Sequence, residues 1–239
     1  MNRLVQGCIA EFLGTFALVF FGAASIIIAA SPAAGAQPVA PTAGLVTVAL
    51  AHGLILAVFV SACMYISGAQ FNPAVSIGLV VAGKQSPVTA GAYIASQLAA
   101  ASLAAGALVF FLGDDLAIRG GGELGATIGR FTKEENVLAV VGIEAIMTFA
   151  LMFVILGAVV DERAHKFAGA QVGMVVAACI VAAGPLTGAS MNPARTFGPA
   201  LVGGFWEMHW AYWVAPVLGA SLAALVYKAV WMSRPRPAA

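Results

Sequence analysis

The stretch "TGASMNPARTFGPA", Thr187 to Ala200, lies between two strongly apolar segments, and its reading decides the fold. Asn is a favoured helix N-cap and Pro a favoured first helical residue, so Asn192-Pro193 opens a helix. Arg195 then falls in the first turn, where the positive end of the helix macrodipole disfavours a cation. Only 9% of the residues are charged and 62% are hydrophobic, so its surroundings are apolar. In lipid, a charged side chain at the centre of a helix costs ~2.5–3.5 kcal/mol or more. Something other than stability must account for this arginine.

The whole chain is as apolar as that neighbourhood. Its 239 residues have a mean hydropathy of +0.98, whereas water-soluble domains are about 25% charged and roughly 45–50% apolar. Too few polar side chains exist to cover a globule in water, and the balance suits a protein solvated by lipid. A formal net charge of +1 and the absence of any basic cluster give no sign of a nucleic-acid partner. Cys8, Cys63 and Cys179 all lie in apolar segments and read as buried packing residues. No CxxC or Cys/His spacing points to a metal or redox site, and no cofactor is implied.

Six apolar segments are long enough to span a bilayer, which needs about 20 residues: Cys8–Ala30, Ala43–Ile66, Val88–Leu112, Val137–Val160, Lys166–Gly184 and His209–Met232. The first is 23 residues long, beyond the ~7–15 of a signal-peptide core, and is read as a retained span. A Pro/Ala-rich linker (Ser31–Thr42), a polar loop (Gly113–Asn136), a charged turn (Asp161–Lys166) and a short tail, read as disordered, separate or end them. Pro73–Ala82 and Pro193–Val202, ten residues each, are too short to cross and read as re-entrant pieces. Irregular backbone survives at membrane depth only inside protein or beside a water-filled cavity, which hints at a pore. With the N-terminus in the cytoplasm, Arg3, Lys84, Arg163, Lys166, Lys228, Arg234 and Arg236 fall inside and only Arg119, Arg130 and Lys133 outside. The positive-inside rule therefore favours cytoplasmic termini.

The chain also repeats itself. "EFLGTFALVF" (Glu11–Phe20) matches "EAIMTFALMF" (Glu144–Phe153) at six of ten positions. "SGAQFNPAVSIG" (Ser67–Gly78) matches "TGASMNPARTFG" (Thr187–Gly198) at Gly, Ala, Asn, Pro, Ala and Gly. The matches fall in the same order, so the chain is one domain of two halves, roughly 1–112 and 137–239, joined by 113–136. Each half has three spans and one short helix. Three is odd, so the second half enters the membrane upside down. Inverted repeats place sites near the midplane, where broken helices meet. Small residues recur every fourth position, at Ala49, Gly53, Ala57 and Ser61 and again at Gly169, Gly173 and Ala177, a spacing that lets helices pack closely.

At this point the sequence resembles the aquaporin (major intrinsic protein) family over essentially its whole length. The resemblance rests on "AEFLGTF" (Ala10–Phe16), "SGAQFNPAVS" (Ser67–Ser76), "AYIASQLAAA" (Ala92–Ala101), "TGASMNPARTFGPA" and "HWAYWVAPVLGA" (His209–Ala220). It implies an all-α membrane fold, a right-handed bundle of six helices with two re-entrant half-helices, and a homotetramer with one pore per subunit. It also implies a pore centre at Asn72-Pro73-Ala74 and Asn192-Pro193-Ala194. There each Asn amide offers a donor to passing water, and the half-helix dipoles repel cations. Glu11 and Glu144 are intramembrane carboxylates, as a proton-coupled transporter would use. The resemblance instead makes each an acceptor for the N–H groups of a re-entrant loop.

The family's spacing assigns the selectivity filter to His52, Ile180, Ala189 and Arg195. Strict water channels usually carry Phe in place of His52 and His in place of Ile180. The filter here is similar to that of the tonoplast-type and ammonia-permeable members, so ammonia, hydrogen peroxide or urea are expected candidates beside water. Glycerol facilitators usually carry Asp after the filter arginine; this chain has Thr196, with Ala200, Tyr212 and Trp213 as in water channels. The expected function is passive conduction of water in single file, with protons and ions excluded, by a multi-pass protein of the plasma (inner) membrane. A glycerol facilitator, an ion-coupled transporter and a junctional membrane protein are the competing classes. No nucleophile–base pair, metal cluster or phosphate loop supports an enzyme.

Overall fold

The structure, a computed structural model, describes residues 2–31, 41–161 and 167–232. Most of the Pro/Ala-rich linker and of the charged turn, and the tail, lie outside them, as do Arg163, Lys166, Arg234 and Arg236 of the orientation count. The apolar segments form long helices: α1 (Arg3–Ala30), α2 (Pro41–Cys63), α4 (Pro87–Ala117), α6 (Val137–Ile155), α7 (Ala168–Thr187) and α9 (Ala211–Tyr227). The two short segments become α3 (Pro73–Val81) and α8 (Pro193–Gly203), and α5 is a single turn, Arg130–Lys133. The order α1–α4 thus recurs as α6–α9. Six of these helices, two of them extended by π-helical turns at Leu156–Val160 and Lys228–Met232, are long and apolar enough to cross a membrane.

Polarity runs inside out. Leu138 and Phe110 are 85% and 80% exposed, while Glu11 and Glu144 are fully buried. That arrangement suits lipid outside and a polar centre within. The helix starts follow local chemistry: Asn2, Ser86 and Asn136 cap α1, α4 and α6 by accepting the N–H of Leu4, Thr89 and Ala139. Pro87, Pro73 and Pro193 occupy first-turn positions where no donor is needed.

The small-residue stripes make the close crossings. A Cβ added at Gly53 of α2 would sit 2.7 Å from the Gly173 carbonyl of α7, and one at Gly173 would collide with the Gly53 carbonyl. Gly198 of α8 lies against the Ala101 carbonyl of α4, and Gly219 of α9 against that of Ala145 in α6. Backbone meets backbone at each crossing, where no side chain can yield.

The segment 113–136, read from sequence as a polar loop, is more structured than that. Gly113, at φ 75° and ψ 157°, breaks α4, and one further helical turn follows to Ala117. A 3-10 turn (Glu123–Gly125) and α5 come next. Its ion pairs, Arg119–Asp115, Arg130–Glu134 and Lys133–Glu123, lie at the surface and contribute little, ~0–1 kcal/mol each. Apolar and backbone contacts hold it instead: Leu124 is fully buried, and Gly125 and Gly129 press against Ala23 of α1 and Leu186 of α7. Gly173→Val should cost about 1–3 kcal/mol or more by overpacking the α2–α7 crossing. The check is a lower thermal unfolding midpoint in detergent, with less monodisperse protein recovered.

Candidate functional site

Two irregular loops, 67–72 and 188–192, lead into α3 and α8 and carry the site. In each, two non-glycine residues take left-handed backbone angles at repeat-related positions: Ala69 (φ 48°) and Phe71 (φ 49°), then Ala189 (φ 45°) and Met191 (φ 53°). Such conformations cost of order 1–3 kcal/mol each and persist only where the surroundings fix them. The fixing groups are the two carboxylates. Glu11 Oε1 accepts from Ser67 Oγ at 2.6 Å and Gln70 N at 2.9 Å, and Oε2 from Phe71 N at 2.6 Å and Gln97 Nε2 at 2.8 Å. Glu144 Oε1 accepts from Thr187 Oγ1 at 2.8 Å and Ser190 N at 2.9 Å, and Oε2 from Met191 N at 2.8 Å. Burial of a carboxylate is tolerable only with such partners.

The loops deliver Asn72 and Asn192 to one another. Each Oδ1 accepts the N–H of the helix it caps, Ala74 at 2.9 Å and Ala194 at 3.0 Å. Each Nδ2 donates across to the other loop, Asn72 to Met191 O and Asn192 to Phe71 O, both at 2.8 Å. The N-terminal ends of α3 and α8 therefore meet. A carboxamide has two N–H donors, so each asparagine keeps one for whatever lies beside it. Pro73, Ala74, Pro193 and Ala194 are buried in the two first turns.

Beside it lies a narrow cavity lined by both asparagines and by His52, Ile180, Ala189 and Arg195. It offers about 30 Å³ to water centres, where one water needs ~10–15 Å³. A larger cavity of about 230 Å³, lined also by Ala126, Ile128 and Gly188, shares His52, Ile180 and Arg195. Those three residues thus stand where the passage narrows. Arg195 is 4% exposed; its Nη1 donates to Gly125 O at 2.5 Å, and its Nη2 lies 3.4 Å from His52 Nε2. His52 Nδ1 is 2.9 Å from Val48 O. A carbonyl only accepts, so Nδ1 carries the proton and Nε2 presents its lone pair to the guanidinium. Arg195 has no carboxylate within ion-pair distance among the described residues.

Other expected positions lie elsewhere. Thr196 lines neither cavity: its hydroxyl meets Ser190 Oγ at 2.5 Å and Thr127 Oγ1 at 2.9 Å, behind the loop. Tyr212 donates to Thr187 O and bonds Thr132 Oγ1, while Trp213 Nε1 donates to His209 Nε2. Ala200 is buried in α8 and lines neither cavity. Thr196 and Tyr212 thus brace the loop, and none of the four lines either cavity. Sequence reasoning missed Gln97, Thr127 and the Gly125 carbonyl. It also missed the mirrored links that join the residue two before each Asn to the one four after it, Ser76 Oγ to Gln70 Oε1 (2.6 Å) and Ser190 to Thr196. Reading the repeat at those offsets would have found the links. Nothing in a loop without a repeat partner marks a backbone carbonyl.

Six spans closing round two half-helices, whose capped ends meet at a narrow polar passage, define an integral, multi-pass membrane protein. The profile of the family "Major intrinsic protein" matches residues 2–227. The chain belongs to that family. It is 41% identical over 238 residues to "Aquaporin TIP4-4" of Zea mays, covering 96% of this chain and 88% of that one. To "Probable aquaporin TIP3-2" of Arabidopsis thaliana it is 40% identical over 231 residues, covering 94% and 83%. The X-ray structure of the aquaglyceroporin from Plasmodium falciparum superposes with a TM-score of 0.82 at 24% identity, over 95% of this chain and 96% of that one. At that identity it bears on the fold alone.

Replacing Glu11 by Gln turns an accepting Oε2 into a donor that faces Phe71 N and Gln97 Nε2. The buried mismatch should destabilise the protein by about 1–3 kcal/mol per unsatisfied group. Thermal melting of Glu11→Gln and Glu144→Gln in detergent checks it, with a lowered midpoint expected for both.

Proposed function

We propose that this chain is a passive channel, not an enzyme, that conducts water in single file and excludes protons and ions. The observation that carries the reading is the bonding of Asn72 and Asn192. Each spends its Oδ1 and one N–H on protein, leaving one N–H for the passage. A water accepting from both must turn its own hydrogens outward along the file. No donor–acceptor chain then continues through it, so a proton has no relay. The meeting N-terminal ends of α3 and α8 add positive potential at the same point, and Arg195 adds a full charge at the narrowing. We read His52, Ile180, Ala189 and Arg195 as the filter, and Glu11 and Glu144 as the groups that hold the loops beside it.

A second solute is favoured by the filter's make-up. Ile180 contributes no hydrogen bond to the narrowing and Ala189 no bulk, while His52 presents an acceptor already partnered by Arg195. A wall that is half apolar admits small neutral solutes such as ammonia with less selective demand than one lined by two donors. Glycerol is the less favoured reading. The halves 1–112 and 137–239 are inverted copies in this proposal, and four such chains form a homotetramer in lipid. Cytoplasmic termini are proposed from the distribution of Lys and Arg, and a plasma (inner) membrane is the proposed location.

Stopped-flow light scattering on proteoliposomes tests these readings. Vesicles holding the protein should shrink in an osmotic gradient several-fold faster than empty ones. An equal rate overturns the channel. His52→Phe combined with Ile180→His should reduce ammonia flux while water flux persists; ammonia flux left untouched would refute the filter assignment. Cys63 and Cys179 line neither cavity, so mercuric chloride should leave water flux unchanged. Ala189→Cys should confer block that a thiol reductant reverses.

A further inference from the structure

Gln70 lines the narrow cavity and is 5% exposed, yet its carboxamide is turned wholly toward protein. Its Oε1 accepts from Ser76 Oγ at 2.6 Å and from Gln85 Nε2 at 3.3 Å. Its Nε2 donates to Gln85 Oε1 and, at 3.4 Å, to Ser67 O. A glutamine side chain has two donor and two acceptor positions, and all four are engaged. Its repeat counterpart Ser190 is sealed in the same way, by Thr196 Oγ1 and by the backbone of Asn192. Both flanking residues are thereby withheld from the file, and each asparagine keeps its single free N–H beside it.

The two seals differ in what supplies them. Ser190 is closed by its own loop and half-helix, whereas two of the four bonds to the Gln70 carboxamide come from Gln85. Gln85 sits on the turn between α3 and α4, half-buried, between exposed Lys84 and exposed Ser86. Without it, Gln70 has one free donor and one free acceptor at the cavity wall. A buried amide seeks a partner strongly in low dielectric, and the partner in the cavity is the water being conducted. Gln70 would then hold that water and slow its neighbours, since molecules in single file cannot pass one another.

We propose that Gln85 is a positioning residue for conduction: by pairing with Gln70 it keeps that carboxamide out of the water file. The surface turn between α3 and α4 thus sets the transit rate on the α3 side of the asparagine pair. The inference rests on the cavity being the conducting path.

The test compares water permeability per protein, and its activation energy, in proteoliposomes of wild type, Gln85→Ala, Gln85→Asn and Gln70→Ala/Gln85→Ala. Gln85→Ala should slow water by roughly two- to tenfold, the range that one net hydrogen bond spans, and raise the activation energy. Gln85→Asn, too short to close the pair, should slow it similarly and serves if the alanine variant folds poorly. Adding Gln70→Ala should recover flux, which a merely structural loss would not do. Gln85 variants as fast as wild type, or a double variant as slow as the single, would overturn the proposal. Wild-type vesicles no faster than empty ones would overturn the conducting path itself, a failure separate from this one.

Discussion

The structure depends on two buried carboxylates, each tied to the backbone of a loop that has no regular hydrogen bonding of its own. Lipid supplies no water to satisfy a bare N–H, so a loop entering the protein centre must bring its partners with it. Glu11 takes the N–H groups of Gln70 and Phe71, and Glu144 those of Ser190 and Met191. That demand fixes the alternating left-handed angles at Ala69, Phe71, Ala189 and Met191. Those angles in turn set where Asn72 and Asn192 stand. Remove the acceptors and the strained backbone has no reason to persist.

The arrangement needs a tight frame, which explains why glycine and alanine fill the crossings. The α2–α7, α4–α8 and α6–α9 contacts are backbone against backbone, so the helices cannot slide apart without opening gaps that no side chain fills. The narrow cavity is left room for only a few waters in all. Selectivity by single-file bonding needs that narrowness, because a water with neighbours on every side is not forced to orient.

Much of this was legible in the sequence because it obeys simple periodicities. Six apolar runs became six spans, and the two short runs after Asn-Pro became capped half-helices within a residue or two of the expected bounds. The repeat also singled out Glu11 and Glu144, whose loop bonds follow. Backbone geometry was not legible. Arg195 is seated by the carbonyl of Gly125, in a segment that has no counterpart in the other half, and a carbonyl leaves no trace in side-chain chemistry. Thr196 follows Arg195 in sequence, yet its hydroxyl meets Ser190 and Thr127, and neither it nor Tyr212 and Trp213 of α9 lines the two cavities. The repeat likewise hides its own departures. Gln97 of α4 gives Glu11 a fourth donor, whereas the matching position in α9 is Pro216, and Glu144 makes do with three.

Arg195 is also where the two halves part company, since its counterpart beside Asn72 is Val75. Among the described residues, the guanidinium in the cavity walls is that of Arg195, on the side roofed by the 113–136 segment. A passive conduit has no preferred direction for its net flow, yet this one is lopsided toward anything it rejects. With the proposed filter at Arg195, a bulky molecule approaching the roofed entrance would be turned back at the threshold. Among the described residues lining the cavity, the same molecule arriving from the opposite side meets the apolar side chains of Leu56, Val75, Leu151 and Val176 before Arg195. Under the proposed filter, plugging from that opposite side is the vulnerability its placement would leave open.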